Sequence, residues 1–232
     1  MSARKKIVVF SGAGMSAESG IQTFRDSGGL WEKYRIEDVA TPDAWHKNPE
    51  LVLDFYNQRR KQIIQAQPNE AHRMVAQWQE FFDVQVITQN IDDLHERAGS
   101  KKVLHLHGEI MKARSTRDPD LLYPVRSGEI RMGDVCETGA QLRPHIVWFG
   151  ELVPEMENAA LLVSQAEIFV TIGTSLNVYP AAGLISVSPD HVTKYLVDPG
   201  TFNLDYIKNL SHIKMGAVDG IKHLTDVLKA LL

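Results

Sequence analysis

The run Lys6-Ile7-Val8-Val9-Phe10-Ser11 stops at Gly12-Ala13-Gly14-Met15-Ser16-Ala17. A short apolar run closed by a glycine turn predicts a strand buried on both faces, followed by a turn into a short helix. Such strands belong to parallel sheets covered by helices on both sides. Gly12 permits a tight turn. Gly14 lets backbone come close to a ligand, and a helix N-terminus offers N–H groups to a pyrophosphate. The spacing Gly12-x-Gly14-x-x-Ala17 is also met in many turns that bind nothing.

The rest of the chain alternates in the same manner. Asn48-Pro49 predicts a helix N-cap and first turn, and the helix runs through Phe55, Tyr56, Ile63 and Ile64 until Pro68 ends it. A second helix is expected over 69–82 and a strand over Asp83–Thr88. Val103–His107 reads as a short strand, and Ile146–Phe149 as a return to the sheet or its edge. Ala159–Ala166 reads as helix and Glu167–Gly173 as a buried strand. Short strands over Tyr195–Asp198 and His212–Met215 and an amphipathic helix over Gly220–Leu232 complete the pattern. Strands alternating with helices predict an α/β fold: a Rossmann-like, doubly wound parallel sheet with a small inserted module.

The 232 residues are read as a single domain. Its sheet core covers approximately 1–20, 70–110 and 143–232. A helix-and-loop insertion covers approximately 22–68. A second insertion, 111–142, is rich in Arg, Asp, Pro and Gly and poor in apolar residues. A single cysteine excludes an internal disulfide and a cysteine metal cluster. A net charge of −4 gives no general attraction to nucleic acid. Ile7–Phe10 is too short for a signal core or a membrane span, so a cytoplasmic protein is expected. It is read as a monomer, although no sequence feature fixes the oligomeric state.

Six blocks, in one order, carry a family resemblance: Gly12-Ala13-Gly14-Met15-Ser16; Gly20-Ile21-x-x-Phe24-Arg25; Thr88-Gln89-Asn90-Ile91-Asp92-Asp93-Leu94-His95; Leu106-His107-Gly108; Leu142-Arg143-Pro144-His145-Ile146-Val147-Trp148-Phe149-Gly150-Glu151; and Gly173-Thr174-Ser175-Leu176. The chain resembles the sirtuins, NAD-dependent protein lysine deacylases, along nearly its whole length. A dehydrogenase fits worse, because the span about 20 residues past the glycines reads as loop rather than a strand ending in an acidic residue.

The resemblance implies NAD as cofactor and acyl-lysine proteins or peptides as partners. It implies products of nicotinamide, free lysine and 2′-O-acyl-ADP-ribose. It implies that His107 is the catalytic base acting on a ribose hydroxyl, a task suited to an imidazole with an ordinary pKa of about 6.5. Asn90 and Asp92 position the nicotinamide and its ribose, and Gln89 meets the ribose hydroxyls. Phe24 covers the nicotinamide pocket and Arg25 meets phosphate or ribose oxygens. Gly12, Ala13, Gly14, Ser16 and Glu18 join the cofactor site from the first loop. Gly173, Thr174, Ser175 and Asn177 join it beyond the later strand, with Asp198 and Ala217 on the adenosine side. His145 and Val147 line an acyl-lysine tunnel, while Trp148, Phe149 and Gly150 belong to a segment that pairs with peptide by strand addition. Each residue has a plainer alternative. His105 or His107 can be a packed histidine, Asn90 or Asp92 a helix cap, and Val147–Phe149 a core strand.

Phe55-Tyr56-Asn57-Gln58-Arg59-Arg60 matches the class of sirtuins in which a Tyr and an Arg hold the carboxylate of a succinyl, malonyl or glutaryl lysine. Tyr56 and Arg59 share a helix face. A carboxylate deep in an apolar tunnel needs such a partner. The alternative is a solvated basic face continued by Arg60 and Lys61. The chain also departs from the family. Lys112–Thr116 and Val135–Thr138 stand where cysteine pairs hold structural zinc, and Cys136 is out of register. No metal is expected, because a structural zinc needs four ligands. The module is then held by packing that involves Leu121, Leu122, Tyr123 and Ile130. Val197-Asp198-Pro199 replaces a family asparagine near the adenosine ribose. The implied activity is desuccinylation or demalonylation with deacetylation retained. An NAD-dependent ADP-ribosyltransferase and a non-catalytic NAD-responsive module are the rivals.

Overall fold

The structure is a computed structural model that describes residues 4–21, 33–126, 128–174, 176 and 179–230. Its strands are β1 (Lys6–Ser11), β2 (Asp83–Thr88), β3 (Val103–His105), β4 (Gly108–Ser115), β5 (Leu122–Pro124), β6 (Leu142–Ile146), β7 (Ile168–Ile172), β8 (Thr193–Val197) and β9 (Leu210–Ile213). Its helices are α1 (Gly14–Ala17), α2 (Ile36–Val39), α3 (Pro42–Lys47), α4 (Pro49–Gln65), α5 (Glu70–Gln77), α6 (Leu94–Arg97), α7 (Met156–Ser164), α8 (Leu184–Val187) and α9 (Ala217–Lys229).

Six strands form one sheet in the order β3-β2-β1-β7-β8-β9, and every pairing is parallel. The chain therefore builds outward from β1 to β3, crosses back, and builds the other way from β7 to β9. The reversal lies between β1 and β7, where an open α/β sheet leaves a crevice at the C-terminal strand ends. Alternate side chains enter opposite cores. Ile7, Val9, Val86, Val170 and Val197 pack with α5 and α9. Val8, Phe10, Ile87 and Phe169 pack with α7 and α8. Each such side chain contributes about 1.5–3 kcal/mol on burial, which explains the near-continuous apolar runs. The doubly wound reading holds.

Local chemistry sets the helix ends. Asn48 Oδ1 accepts from Leu51 N at 3.0 Å, with Pro49 in the first turn, as the sequence predicts. The last helix differs. It starts at Ala217 rather than Gly220, because Glu18 Oε1 accepts from Val218 N at 3.0 Å. A cap supplied 200 residues away has no local sequence signal. Gly220 is interior to the helix, and a Cβ there would lie 2.2 Å from Val197 Cγ1. That glycine permits close packing on β8 rather than marking a boundary.

Two expectations about the insertions need correction. Val147–Phe149 is not a strand of the main sheet. β6 instead joins an antiparallel three-stranded sheet, β5-β4-β6. After it, Val147 N donates to His107 O at 2.9 Å and Phe149 N to Ala40 O at 3.0 Å, so the segment bridges other parts of the fold. The module's core also differs. It consists of Leu53, Ala113, Val125 and Ile130, with Tyr123 and Leu142 beside it. Leu122 is exposed and Leu121 is not part of this cluster.

Below the sheet's C-terminal edge two histidines are fully enclosed. His72 and His95 meet edge to face with ring centroids 4.9 Å apart. Burial lowers His72 to about 4 and holds His95 well below its ordinary value. The unfolded chain therefore takes up protons below about pH 6.5 that the folded chain refuses. Stability is full above that pH and falls as acid is added, by about 1.4 kcal/mol per pH unit for each histidine. Replacing His72 by glutamine reduces that acid slope. Urea denaturation between pH 7 and 4 measures it, and an unchanged slope would overturn the assignment.

Candidate active site

Three neighbouring strands, β2, β1 and β7, end together. From β1 come Gly12 to Ser16, from β2 Gln89 to Asp92, and from β7 Gly173 and Thr174. The two glycine loops interlock. A Cβ at Gly12 would lie 2.8 Å from Gly173 O, and one at Gly14 would lie 2.7 Å from Gly173 Cα. The glycines are thus required by contact between the loops, a reason additional to ligand approach. α1 is a single turn, and the N–H groups of Gly12, Gly14, Met15 and Ser16 donate to protein carbonyls. The row of unpaired helix N–H groups read from the sequence is absent at these four residues.

Side chains fill the crevice with a connected polar set. Asn90 Nδ2 donates to Gly12 O at 3.0 Å and to Ser16 Oγ at 3.2 Å. Both amide protons are committed, so Oδ1 is the atom through which Asn90 can meet a ligand. Ser16 Oγ donates to Asp92 Oδ2 at 3.0 Å, and Asp92 Oδ1 accepts from Leu94 N at 3.1 Å. Asp92 therefore holds the first N–H of α6 as well as facing the crevice. Burial raises its carboxyl, against the two hydrogen bonds that favour ionisation. Gln89 Nε2 donates to Thr174 Oγ1 at 3.2 Å, tying β2's loop to β7's. This donor and acceptor set at a topological switch point fits a dinucleotide.

His105 at the end of β3 and His107 just beyond it are distinguished by their partners. His105 Nδ1 lies 3.0 Å from Asn90 O, and its Nε2 lies 2.7 Å from Glu96 Oε1. Burial opposes its charge, but Glu96 prevails and its pKa is raised. Both its nitrogens are occupied. His107 Nδ1 lies 3.0 Å from Gln89 O. A carbonyl only accepts, so Nδ1 carries the proton and Nε2 keeps its lone pair. Burial lowers the pKa of His107, which holds the ring neutral near pH 7. Only His107 has the form of a base.

Gly108, the next residue, has φ +81, and a Cβ on it would lie 2.1 Å from His145 O. No side chain fits where β4 meets β6. Gly108→Ala should cost about 3 kcal/mol or more from strain and overpacking. That corresponds to a melting point lower by about 6–12 °C, which thermal unfolding would detect.

On α4, Tyr56 and Arg59 are both buried, at 3% and 7% exposure. Arg60 is wholly buried. The solvated-face alternative therefore fails for both arginines and survives only for exposed Lys61. Burial pushes the Tyr56 phenol well up, so it remains a donor. Burial lowers Arg59, while the Asp92 carboxylate supports its charge. Tyr56 shares an apolar cluster with Phe55, Ile110, Ile146 and Trp148. Trp148 is clamped by residues the sequence reading gave no role. The Arg143 guanidinium stacks 3.3 Å from its ring centroid. Glu151 binds Arg143 through two bonds of 2.8 and 3.0 Å and accepts from Trp148 N at 2.7 Å. Both residues stand inside the Leu142–Glu151 block, which was the available signal.

The N–H groups of Val147, Trp148 and Phe149 are thus all used internally. Strand addition through these donors is not available to a peptide. His145 is half-buried, and its Nδ1 has no partner among the described residues. Phe149 is exposed. Glu18 reaches the start of α9 beside Ala217, and Asp198 follows β8 with Oδ1 accepting from Gly200 N at 2.7 Å. Phe24, Arg25, Ser175 and Asn177 lie outside the described residues. Among the described residues no group of three or more His, Cys, Asp or Glu is placed to hold a metal ion. No helix among them is long and apolar enough to cross a membrane.

Compared with known families, residues 12–180 match the Sir2 family. The chain belongs to the Sir2 family. It is 50% identical over 229 residues to an NAD-dependent protein deacylase of Bacteroides thetaiotaomicron, covering 97% of this chain and 98% of that one. It is 50% identical over 224 residues to an NAD-dependent protein deacylase of Helicobacter pylori, covering 97% and 95%. Among solved structures, a Sir2 homolog–NAD complex superposes with a TM-score of 0.88 at 38% identity, covering 99% of this chain and 91% of that one. A Sir2–p53 peptide–NAD+ complex gives 0.80 at 32% identity, covering 98% and 95%. Zinc, which the Sir2 resemblance implies, does not fit here. At the positions in question Cys136 Sγ meets Thr138 Oγ1 at 3.1 Å and Ser115 Oγ at 3.4 Å, a set with one thiol and two hydroxyls.

Proposed function

We propose that this Sir2-family protein is an NAD-dependent protein lysine deacylase that prefers acidic acyl groups such as succinyl and malonyl and retains deacetylation. Bound NAD supplies the ADP-ribosyl group to which the acyl group passes. His107 accepts a ribose hydroxyl proton at Nε2, with the ring held by Gln89 O. Asn90 orients the nicotinamide end through Oδ1, and Ser16 and Asp92 hold that amide in place. Tyr56 donates to the acyl carboxylate and Arg59 supplies the positive charge.

The observation that carries the acyl preference is the burial of Arg59 beside Tyr56, one turn apart on the same face of α4 and in the apolar surroundings of Phe55, Ile146 and Trp148. The test incubates the protein with NAD and matched succinyl-, malonyl- and acetyl-lysine peptides and follows products by mass spectrometry. Faster acidic deacylation with O-acyl-ADP-ribose supports the reading. Acetyl removal alone would overturn the acyl preference. ADP-ribosylated protein without deacylation would favour the transferase.

A further inference from the structure

The small module lacks a zinc ligand set, yet three kinds of contact fasten it to α4. Asn57 bonds twice to the backbone of Ile130, donating from Nδ2 to its O at 2.9 Å and accepting from its N at Oδ1 at 3.0 Å. Arg60, fully buried, donates from Nε to Ile110 O at 2.7 Å. Its Nη1 reaches Asn57 Oδ1 at 2.7 Å and Gly128 O at 3.4 Å. Outside, Lys61 pairs with Glu129 at 2.8 Å. Beneath, Leu53 of α4 packs on Ala113, Val125 and Ile130.

A buried guanidinium is costly unless its donors are met. Here Nε is met by Ile110 O and Nη1 by Asn57 Oδ1 and Gly128 O, while Nη2 has no partner among the described residues, so the placement of Arg60 depends on these two backbone carbonyls. Asn57 and Arg60 alternate along the helix with Tyr56 and Arg59. A rotation of α4 that disturbed one pair would move the other, since neighbouring helix positions are rigidly related.

We propose that Asn57 and Arg60 are positioning residues. In this chain, whose module has no zinc ligand set, they fasten the module to α4, and through that contact the module sets the placement of Tyr56 and Arg59. The second half rests on the acyl-pocket reading above; the first does not.

The experiment compares wild type with Asn57→Ala, Arg60→Met and the conservative Arg60→Lys, with Gln62→Ala, at an exposed position of α4, as control. Hydrogen exchange over residues 122–130 reads the fastening. KM and kcat for succinyl- and acetyl-lysine peptides, with KM for NAD, read the placement. Asn57→Ala and Arg60→Met should speed exchange over 122–130 and raise the succinyl-peptide KM by about tenfold, the loss of one charged hydrogen bond. The acetyl-peptide and NAD KM values should stay within about twofold, below 0.5 kcal/mol. Arg60→Lys should recover part of both effects, and EDTA should leave wild-type exchange unchanged. Unchanged exchange in both Asn57→Ala and Arg60→Met would overturn the fastening, as would faster wild-type exchange under EDTA. Equal losses for both peptides and NAD would overturn the placement. A wild type with no acidic preference would overturn the acyl reading and the placement with it, leaving the exchange result to decide the fastening alone. Should Arg60→Met fail to fold, Asn57→Ala gives the same readouts at a half-buried position.

Discussion

Replacing His107 with alanine should lower kcat by about 10²–10⁴, the range for loss of a general base, with melting temperature and NAD binding little changed. The residue contributes no capping bond and sits between strands, so its loss need not disturb the sheet. Steady-state kinetics with an acyl-lysine peptide, and calorimetric titration with NAD, separate the two effects. Turnover at the wild-type rate would falsify the role. The same geometry fixes a pH dependence. Burial depresses the histidine's pKa, so the neutral form persists below the ordinary value of about 6.5. The midpoint of the acid limb of kcat/KM for wild type should therefore lie below that pH, and activity should be lost only as pH falls through the depressed pKa of His107.

Arg59→Met should reduce kcat/KM for succinyl-lysine peptide by about 10- to 150-fold, equivalent to one charged hydrogen bond of roughly 1.5–3 kcal/mol. Acetyl-lysine peptide has no carboxylate to lose and should change far less. Methionine keeps the volume and apolar stem of the buried arginine, so packing against Tyr56 and Phe55 is retained. Competition between the two peptides in one reaction gives the ratio directly. A proportionate loss for both would remove Arg59 from carboxylate recognition and leave it as a support of α4.

Much of this was legible in the chain because the signals were local. β1 and β2 run over the same residues as the apolar patterns, and Asn48 caps α4 as its side chain dictates. What escaped was set by distant partners. The start of α9 depends on Glu18, and the end of the main-sheet pattern at Val147 depends on His107 O and Ala40 O. The two basic residues after Tyr56 looked alike in sequence, yet both are buried and serve different neighbours, Arg60 the module backbone and Arg59 the cluster near Asp92. Periodicity gives the face of a helix but not which other element covers it. The same gap hid Arg143 and Glu151, whose clamp on Trp148 joins residues on either side of a bend.

The bond from His107 Nδ1 ends on the main chain of residue 89, not on a side chain. The tautomer of the base is thereby insulated from the identity of its neighbour. A different side chain at position 89 would change the bond to Thr174 and leave the acceptor that fixes the His107 proton in place. Recognition and chemistry, though only a few residues apart, are open to separate engineering.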